Sequence, residues 1–243
     1  MLREAVTRLS TQRFAWVWLL LEPIFHIAYL MVLFAVIRMR VIGGIDVALW
    51  IMLGLVTFFM FRNTSIQSMH AIKANSALFV YRQVKPVDCI LVRSVLEAVI
   101  VLVFSSLILM VIGLMGINIL PRDPLLILAA LGGVWLIGVG FGLITSALSE
   151  LVPEMAKIIN MFMAPLYILS GVVFPLGQMP QPYRGWLLLN PLAHGVELTR
   201  LGFSSYYQAV PELSLLYVYQ AALCLIFLGL LLQIRYASQL VAQ

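Results

Sequence analysis

A serine and a histidine, Ser170 and His194, supply the residue types of a nucleophile and its base. Their setting argues against that use. A Gly-x-Ser elbow needs glycine at 168, where the chain has Ile168, and the pair lacks an evident orienting acid. Hydrolysis inside the membrane is therefore the weak alternative. Metal chemistry has less support still, because His26, His70 and His194 fall in three separate segments and no His-Glu-x-x-His occurs. Nucleotide chemistry needs Gly-x4-Gly-Lys-Ser/Thr, yet Lys73, Lys85 and Lys157 precede Ala74, Pro86 and Ile158. If ATP drives this protein, another polypeptide binds it, and no cofactor is expected on this chain.

Charge placed inside apolar sequence is the remaining chemical signal. Glu22 and His26 stand one helical turn apart in a long apolar run, with Pro23 between them. Each ionisable group at mid-span costs about 2.5–3.5 kcal/mol, so the pair is either a polar patch facing a transport path or a satisfied internal pair. Trp16 and Trp18 mark the start of the same run. They read as interfacial anchors or as a stacking surface for sugar rings at a channel mouth.

The elements that must position these groups are membrane spans. The chain has 243 residues, 63% hydrophobic and 10% charged, whereas soluble domains carry about 25% charge. Lipid is the solvent that fits. Apolar segments fall near 16–37, 47–61, 94–115, 124–148, 155–174 and 212–233, giving an all-α integral membrane protein of six transmembrane helices in a single domain, 1–243. The run 16–37 is long enough to cross roughly 30 Å and is followed by no cleavage signal, so it reads as a retained span. Gly132, Gly133, Gly138, Gly140 and Gly142 in the fourth span permit close helix packing. Cys89 and Cys224 lie at different depths and read as structural thiols.

Counting Lys and Arg by loop sets the orientation. With the N-terminus cytoplasmic, that side holds ten of the fifteen and the opposite side holds Arg38, Arg40, Arg122, Arg184 and Arg200. Both termini are expected in the cytoplasm. A net charge of +5 spread over separated loops does not point to nucleic acid. Leu2, Ala5, Val6 and Leu9 recur at helical spacing with Arg3 and Arg8 elsewhere on the wheel, which predicts an interfacial amphipathic helix over 1–14.

Two loops carry more than connection. Residues 62–93 hold five basic residues and one acid, with Ile66, Met69, Ile72, Leu78 and Phe79 interleaved, and Lys85-Pro86 is expected to end any helix there. A short amphipathic docking helix is expected on the cytoplasmic face, with Glu97 snorkelling to water near the start of the next span. The segment from Phe174 to Glu212, whose re-entrant part is 175–211, contains FPLGQMPQPYRGW and then WLLLNPLAHGVELTRLGF, the two sharing Trp186. The first stretch is too rich in proline and glycine for a continuous span, and the second too apolar for an exposed loop. Two short re-entrant or interfacial helices joined around Asn190-Pro191 are expected.

These residues carry a family resemblance. The basic start, the Trp-containing span that runs into LLEP, and the stretch ELVPEMAKIINMFMAPLYILSGVVFPLGQMP resemble the membrane subunits of ABC-2-type exporters. The pattern Ser-Gly-x-x-Phe-Pro, then Asn-Pro-Leu-x-His-x-x-Glu-x-x-Arg, is similar to capsular-polysaccharide export permeases of Gram-negative bacteria. It is carried by Ser170, Gly171, Phe174, Pro175, Asn190, Pro191, Leu192, His194, Glu197 and Arg200. Residues 150–154 depart from the Arg-x-Asp-Val common in the wider family.

The resemblance implies a permease in the bacterial inner membrane, working as a homodimer with two cytoplasmic ATPase subunits that hold ATP and Mg. It implies export of a lipid-linked acidic capsular polysaccharide, with a periplasmic co-polymerase adaptor and an outer-membrane exporter alongside. A lipid-linked O-antigen, a teichoic acid or a drug is the alternative cargo. On this reading Arg8, Met69, His70, Lys73, Arg82 and Lys85 are candidates for coupling to the ATPase. Trp16, Trp18, Glu22, His26, Arg38, Arg40 and Arg184 are candidates for the substrate path, the arginines guiding a polyanion. Arg200 is expected to pair instead with Glu197 along one short helix.

Overall fold

A backbone that crosses hydrocarbon must satisfy its N–H and C=O groups internally, and a helix does so within one segment. The structure, a computed structural model, describes residues 25–26, 28–30, 41–80, 84–204 and 206–241, and these are mostly helical. A hairpin comes before the long helices. In it β1 (Val41–Ile42) pairs antiparallel with β2 (Ile45–Asp46). Gly43 and Gly44 form its tip with φ of 57° and 91°, the left-handed values that a two-residue hairpin loop demands.

Asp46 accepts a hydrogen bond from the Ala48 N–H at 2.9 Å and so caps α1 (Val47–Met69). This helix is the axle of the bundle. It is the least apolar of the four long helices yet the most buried: 83% of its best apolar window is inside, against 17% for α3 (Pro86–Leu114) and 17% for α8 (Leu215–Arg235). A protein dissolved in water would reverse that order. Here the most apolar helices face outward with Val99, Leu102, Val103, Met110, Leu223 and Phe227 exposed, as lipid permits.

The packing around α1 depends on small residues. On α4 (Pro124–Leu151), a Cβ at Gly142 would collide with the Ser68 Cβ of α1. A Cβ at Gly140 would sit 2.7 Å from the Ile226 backbone of α8. Backbones that approach this closely gain dispersion contacts that lipid tails cannot offer. Two of the polar residues of α1 are satisfied locally: Thr57 donates to the Leu53 carbonyl at 2.8 Å and Ser65 to that of Phe61 at 2.7 Å. Trp135 of α4 donates to the Ser94 carbonyl of α3 at 3.0 Å. Gln233 of α8 donates to the Leu143 carbonyl at 3.0 Å and to Ser146 at 2.9 Å.

Helix bounds differ from the apolar segments in an instructive way. α1 continues to Met69, well past residue 61, because Thr64, Ser65 and Ser68 face the glycines of α4 and need no lipid. Pro86 opens α3 and does not close a helix. It occupies the first turn, where its missing N–H costs nothing, while the Asp88 carboxylate accepts the Lys85 N–H at 2.9 Å. The long helices therefore project beyond the apolar core, and only 70–85 connects them. Glu97 does not snorkel. It lies eleven positions into α3 and is 2% exposed.

Within 70–85 are α2 (Ala71–Ala74) and a 3-10 turn (Ser76–Val80). After α4 come α5 (Met155–Leu169), α6 (Tyr183–Leu187), α7 (Pro191–Phe203), α8 and α9 (Ala237–Val241). Among the described residues, α1, α3, α4 and α8 are long and apolar enough to cross a membrane, and α5 is shorter. The expected helix over 1–14 and most of the expected span 16–37 lie outside the described residues.

Candidate functional site

Helical periodicity on two elements builds a cleft of about 350 Å³. From α1 come Phe58, Phe59, Arg62 and Ile66, a face repeating at intervals of three and four residues. From α5 come Asn160, Met163, Ala164 and Tyr167, with the same intervals. His26, from the helical residues before the hairpin, completes the described lining and sets its ring against Tyr167 at 5.5 Å and Phe59 at 6.1 Å. Phe58 meets Tyr167 edge-on at 5.2 Å. The Arg62 guanidinium carbon stands 5.6 Å from the Phe59 ring centroid, a cation over an aromatic face. The Tyr167 hydroxyl is buried and has no hydrogen-bond partner among the described residues. Three aromatic rings, a guanidinium, an imidazole, an amide and the Tyr167 hydroxyl thus converge on one space. That mixture suits a ligand with both apolar faces and hydrogen-bonding edges.

The sequence motif lies elsewhere and does something different. Ser170 caps the C-terminal end of α5; its hydroxyl donates to the Leu166 carbonyl at 2.6 Å and accepts from the Asn190 amide at 3.0 Å. Gly171 follows with φ of 70°, and a Cβ there would lie 2.8 Å from Leu176. Asn190 also caps α7, accepting from the Leu192 N–H at 3.1 Å, and Pro191 takes the first helical position. One turn from the C-terminal end of α7, Arg200 reaches back into the protein. It donates to the Gly171 carbonyl at 2.8 Å, the Val172 carbonyl at 3.1 Å and Glu197 at 3.1 Å. Its guanidinium lies 3.6 Å over the Trp50 ring. Tyr207 donates its hydroxyl to the Glu197 carboxylate, at 2.9 and 2.8 Å to the two oxygens. Arg200 and Glu197 are fully buried. Burial raises the Tyr207 phenol above its ordinary range, while the nearby Arg200 pulls it down.

The expected Glu197–Arg200 pairing is therefore present, inside a clasp that ties the end of α5 to α1 and α7. The hydrolase alternative fails on geometry. His194 is held by the Leu188 carbonyl at 2.8 Å and by the Ser214 N–H at 3.1 Å, so the nitrogen that accepts from Ser214 leaves the other to donate to Leu188. Ser170 is engaged with Leu166 and Asn190. Neither group addresses the other. Phe174 packs with Leu176, Ala193 and Val210 in a small apolar cluster beside the clasp, and Pro175 leads into the turn Leu176–Gln178. Among the described residues, no group of three His, Cys, Asp or Glu side chains could hold a metal.

At the opposite end, Met69 is buried at the foot of α1, and its carbonyl accepts from Ser149 at 3.4 Å. Ala71, Ile72 and Phe79 pack with Cys89, Ile90, Val139, Leu143, Ala147 and Leu240. The connector is thereby anchored on α3, α4 and the C-terminal α9, while Lys73 and Lys85 stay exposed. His70 is exposed beside them. Its imidazole is held below its ordinary value of 6.5, first by partial desolvation, then by the charges of Arg93 and Lys73. Arg184 pairs with Glu212 at 3.0 Å near the clasp end. Arg8, Trp16, Trp18, Glu22, Arg38, Arg40 and Arg82 lie outside the described residues.

Sequence reasoning missed Trp50, Tyr207 and Tyr167. The first two act through contacts across the fold, and no local pattern marks them. Gly54 is a partial signal, a glycine in an apolar helix: a Cβ there would come 2.5 Å from an Arg200 nitrogen.

A family model described as ABC-2 type transporter matches residues 1–203. The polysialic acid transport protein KpsM of Escherichia coli is 34% identical over 231 residues, covering 95% of this chain and 89% of its own length. The capsule polysaccharide export inner-membrane proteins BexB of Haemophilus influenzae and CtrC of Neisseria meningitidis serogroup A are 27% and 25% identical. Each alignment covers 84% of this chain and 77% of the relative.

Proposed function

Since the chain belongs to the ABC-2 type transporter family, we propose that it is the permease subunit of an ATP-driven exporter that passes a lipid-linked acidic capsular polysaccharide across the bacterial inner membrane. The observation that carries this reading is likeness over nearly the whole chain to a polysialic acid transport protein. The sequence adds that no phosphate-binding loop exists here, so the work must come from a separate ATPase holding ATP and Mg. Six spans, with both termini and the connector 70–85 in the cytoplasm, fit the distribution of Lys and Arg.

On this reading two copies pair, and each docks an ATPase through exposed Lys73, Lys85 and His70 together with Arg8 and Arg82. Met69 stiffens that face from within. Polymer passes along the cleft between α1 and α5, with His26, Glu22, Trp16 and Trp18 contributing from the first span. Arg38 and Arg40 guide it at the far side, and Arg184 does so while shared with Glu212. α6 and α7 are the re-entrant pair that closes the far side. The periplasmic adaptor and outer-membrane exporter receive the chain.

The test is complementation of a strain that makes acidic capsule but lacks its permease, with the cognate ATPase co-expressed. Surface polymer should return and a stoichiometric ATPase should co-purify. Polymer trapped in the cytoplasm despite normal membrane insertion, with a neutral glycan exported instead, would refute the substrate assignment.

A further inference from the structure

The turn between α3 and α4, residues 115–123, lies at the end of the bundle opposite the connector 70–85. Its backbone is held in place. The Leu120 N–H donates to the Asn118 side chain at 3.1 Å, and the Asp123 N–H to the Gly202 carbonyl of α7 at 2.8 Å. Ile117 and Ile119 pack against the core. Leu114, Met115, Leu120 and Leu125 stay outside, with Leu120 and Leu125 79% and 78% exposed. Covering a leucine gains about 1.5–3 kcal/mol, so this rim calls for an apolar partner. It continues the outward face of α3 that carries Met110 and Val111. At 1.5 Å per residue, α3 and α4 are each about 42–44 Å long, which matches a bilayer of about 40–45 Å with its headgroups. Their joined ends therefore reach the level of the lipid phosphates.

Arg122 stands within that rim and is exposed. It has no hydrogen bond or ion pair among the described residues. The neighbouring Asp123 is engaged at the start of α4, where its carboxylate accepts the Leu126 N–H at 3.0 Å. Of the other described arginines at this end, Arg184 pairs with Glu212 and Arg200 with Glu197. We propose that the turn is a docking site for an anionic phospholipid, in which Arg122 binds the headgroup phosphate and the four apolar side chains enter the acyl region beneath it. A long cationic side chain reaches water and phosphate while its apolar neighbours stay in hydrocarbon. A guanidinium takes two phosphate oxygens at once. An acidic sugar polymer would meet the charge but leave the leucines in water, so lipid is the partner that answers both. The inference goes beyond the exporter reading and does not rest on it. It needs only that α3 and α4 cross a bilayer.

The experiment uses the full chain in phosphatidylcholine vesicles, with Cys224→Ser so that buried Cys89 is the remaining native thiol. An uncharged fluorophore is attached at Leu120→Cys or, for comparison, at Met110→Cys. A small fraction of lipid carries a nitroxide on its acyl chain, on either phosphatidylglycerol or phosphatidylcholine. Position 120 should be quenched about fivefold more effectively by the anionic lipid, as one arginine near a charged surface provides, and position 110 equally by both. Arg122→Gln should bring the two lipids level at position 120. Arg122→Lys keeps the charge and should retain part of the preference, which also covers the case where Arg122→Gln fails to insert. A preference that survives Arg122→Gln, vanishes in Arg122→Lys or is as strong at position 110 overturns the site. Quenching of position 120 by aqueous iodide and by neither lipid would place the turn in water and overturn it too. Relief of the lipid quenching by a soluble acidic oligosaccharide would give the arginine to the polymer and end the lipid assignment.

Discussion

The clasp around Arg200 and the cleft around Arg62 are both built from arginine, tyrosine and aromatic rings, and they are opposites. Arg200 is fully enclosed, with two backbone carbonyls, a carboxylate and the Trp50 face for partners. Arg62 lines a cleft with its guanidinium over Phe59, and across from it the Tyr167 hydroxyl has no hydrogen-bond partner among the described residues. A polar group whose bonds are made within the protein fastens the fold. The Tyr167 hydroxyl, unpartnered among the described residues, faces a cleft instead. The clasp holds the broken end of α5, where Ser170 and Gly171 stop the helix short of a full span. Backbone carbonyls freed at membrane depth need donors, and Arg200 supplies them.

The contrast breaks most sharply at Arg200. Arg200→Leu leaves Glu197 buried without its cation, and loss of one partner of a buried pair costs about 3–5 kcal/mol. The variant should be lost from the membrane or melt far below wild type in detergent, and adding Glu197→Leu should recover part of the loss. A single variant of wild-type stability would show that the clasp is not the fastening. Gly54→Ala comes next, since its methyl group would press on the guanidinium 2.5 Å away. Overpacking of that kind costs about 1–3 kcal/mol, where alanine in an unconstrained helix would stabilise. Thermal melting separates the two signs.

A matched pair of substitutions sharpens the comparison. Tyr207→Phe removes the hydroxyl that serves Glu197 and should cost about 1–2 kcal/mol. Tyr167→Phe removes a hydroxyl with no partner among the described residues and should leave stability within about 0.5 kcal/mol of wild type. Equal losses in denaturant titrations would erase the distinction between the two regions. The smallest effect belongs to the connector. His70 is held below 6.5 in the fold, so the unfolded chain binds its proton more readily. The stability this contributes is present above about pH 6.5 and is lost as pH falls through the lowered value. Melting temperature should drop by about a degree or two between pH 7.5 and 5.5, and His70→Gln should flatten that slope.

Much of this was legible in the residues. Apolar runs placed the long helices, the glycines of α4 announced close packing, and the spacing of Glu197 and Arg200 foretold their pairing. What stayed hidden was whatever depends on a distant partner. The polar stretch after Phe61 reads as loop because Thr64, Ser65 and Ser68 look hydrated in one dimension, yet α4 covers them. Trp50 and Arg200 are separated by most of the chain before they stack. The motif residues look like a site because they are polar in an apolar chain, and the structure shows most of them satisfied by one another. Phe58, Arg62 and Tyr167 form a space only when α1 and α5 meet.

Site-specific photocrosslinking tests most directly whether the cleft is the route of export. A photoreactive phenylalanine replaces Tyr167 in cells that are making polymer, with the same probe at Met110 on the exposed face of α3 for comparison. Position 167 should capture polysaccharide, and the adduct should vanish when polymer synthesis is blocked, while position 110 captures lipid only. Normal surface polymer with position 167 silent, or an equal yield at position 110, would contradict a path between α1 and α5.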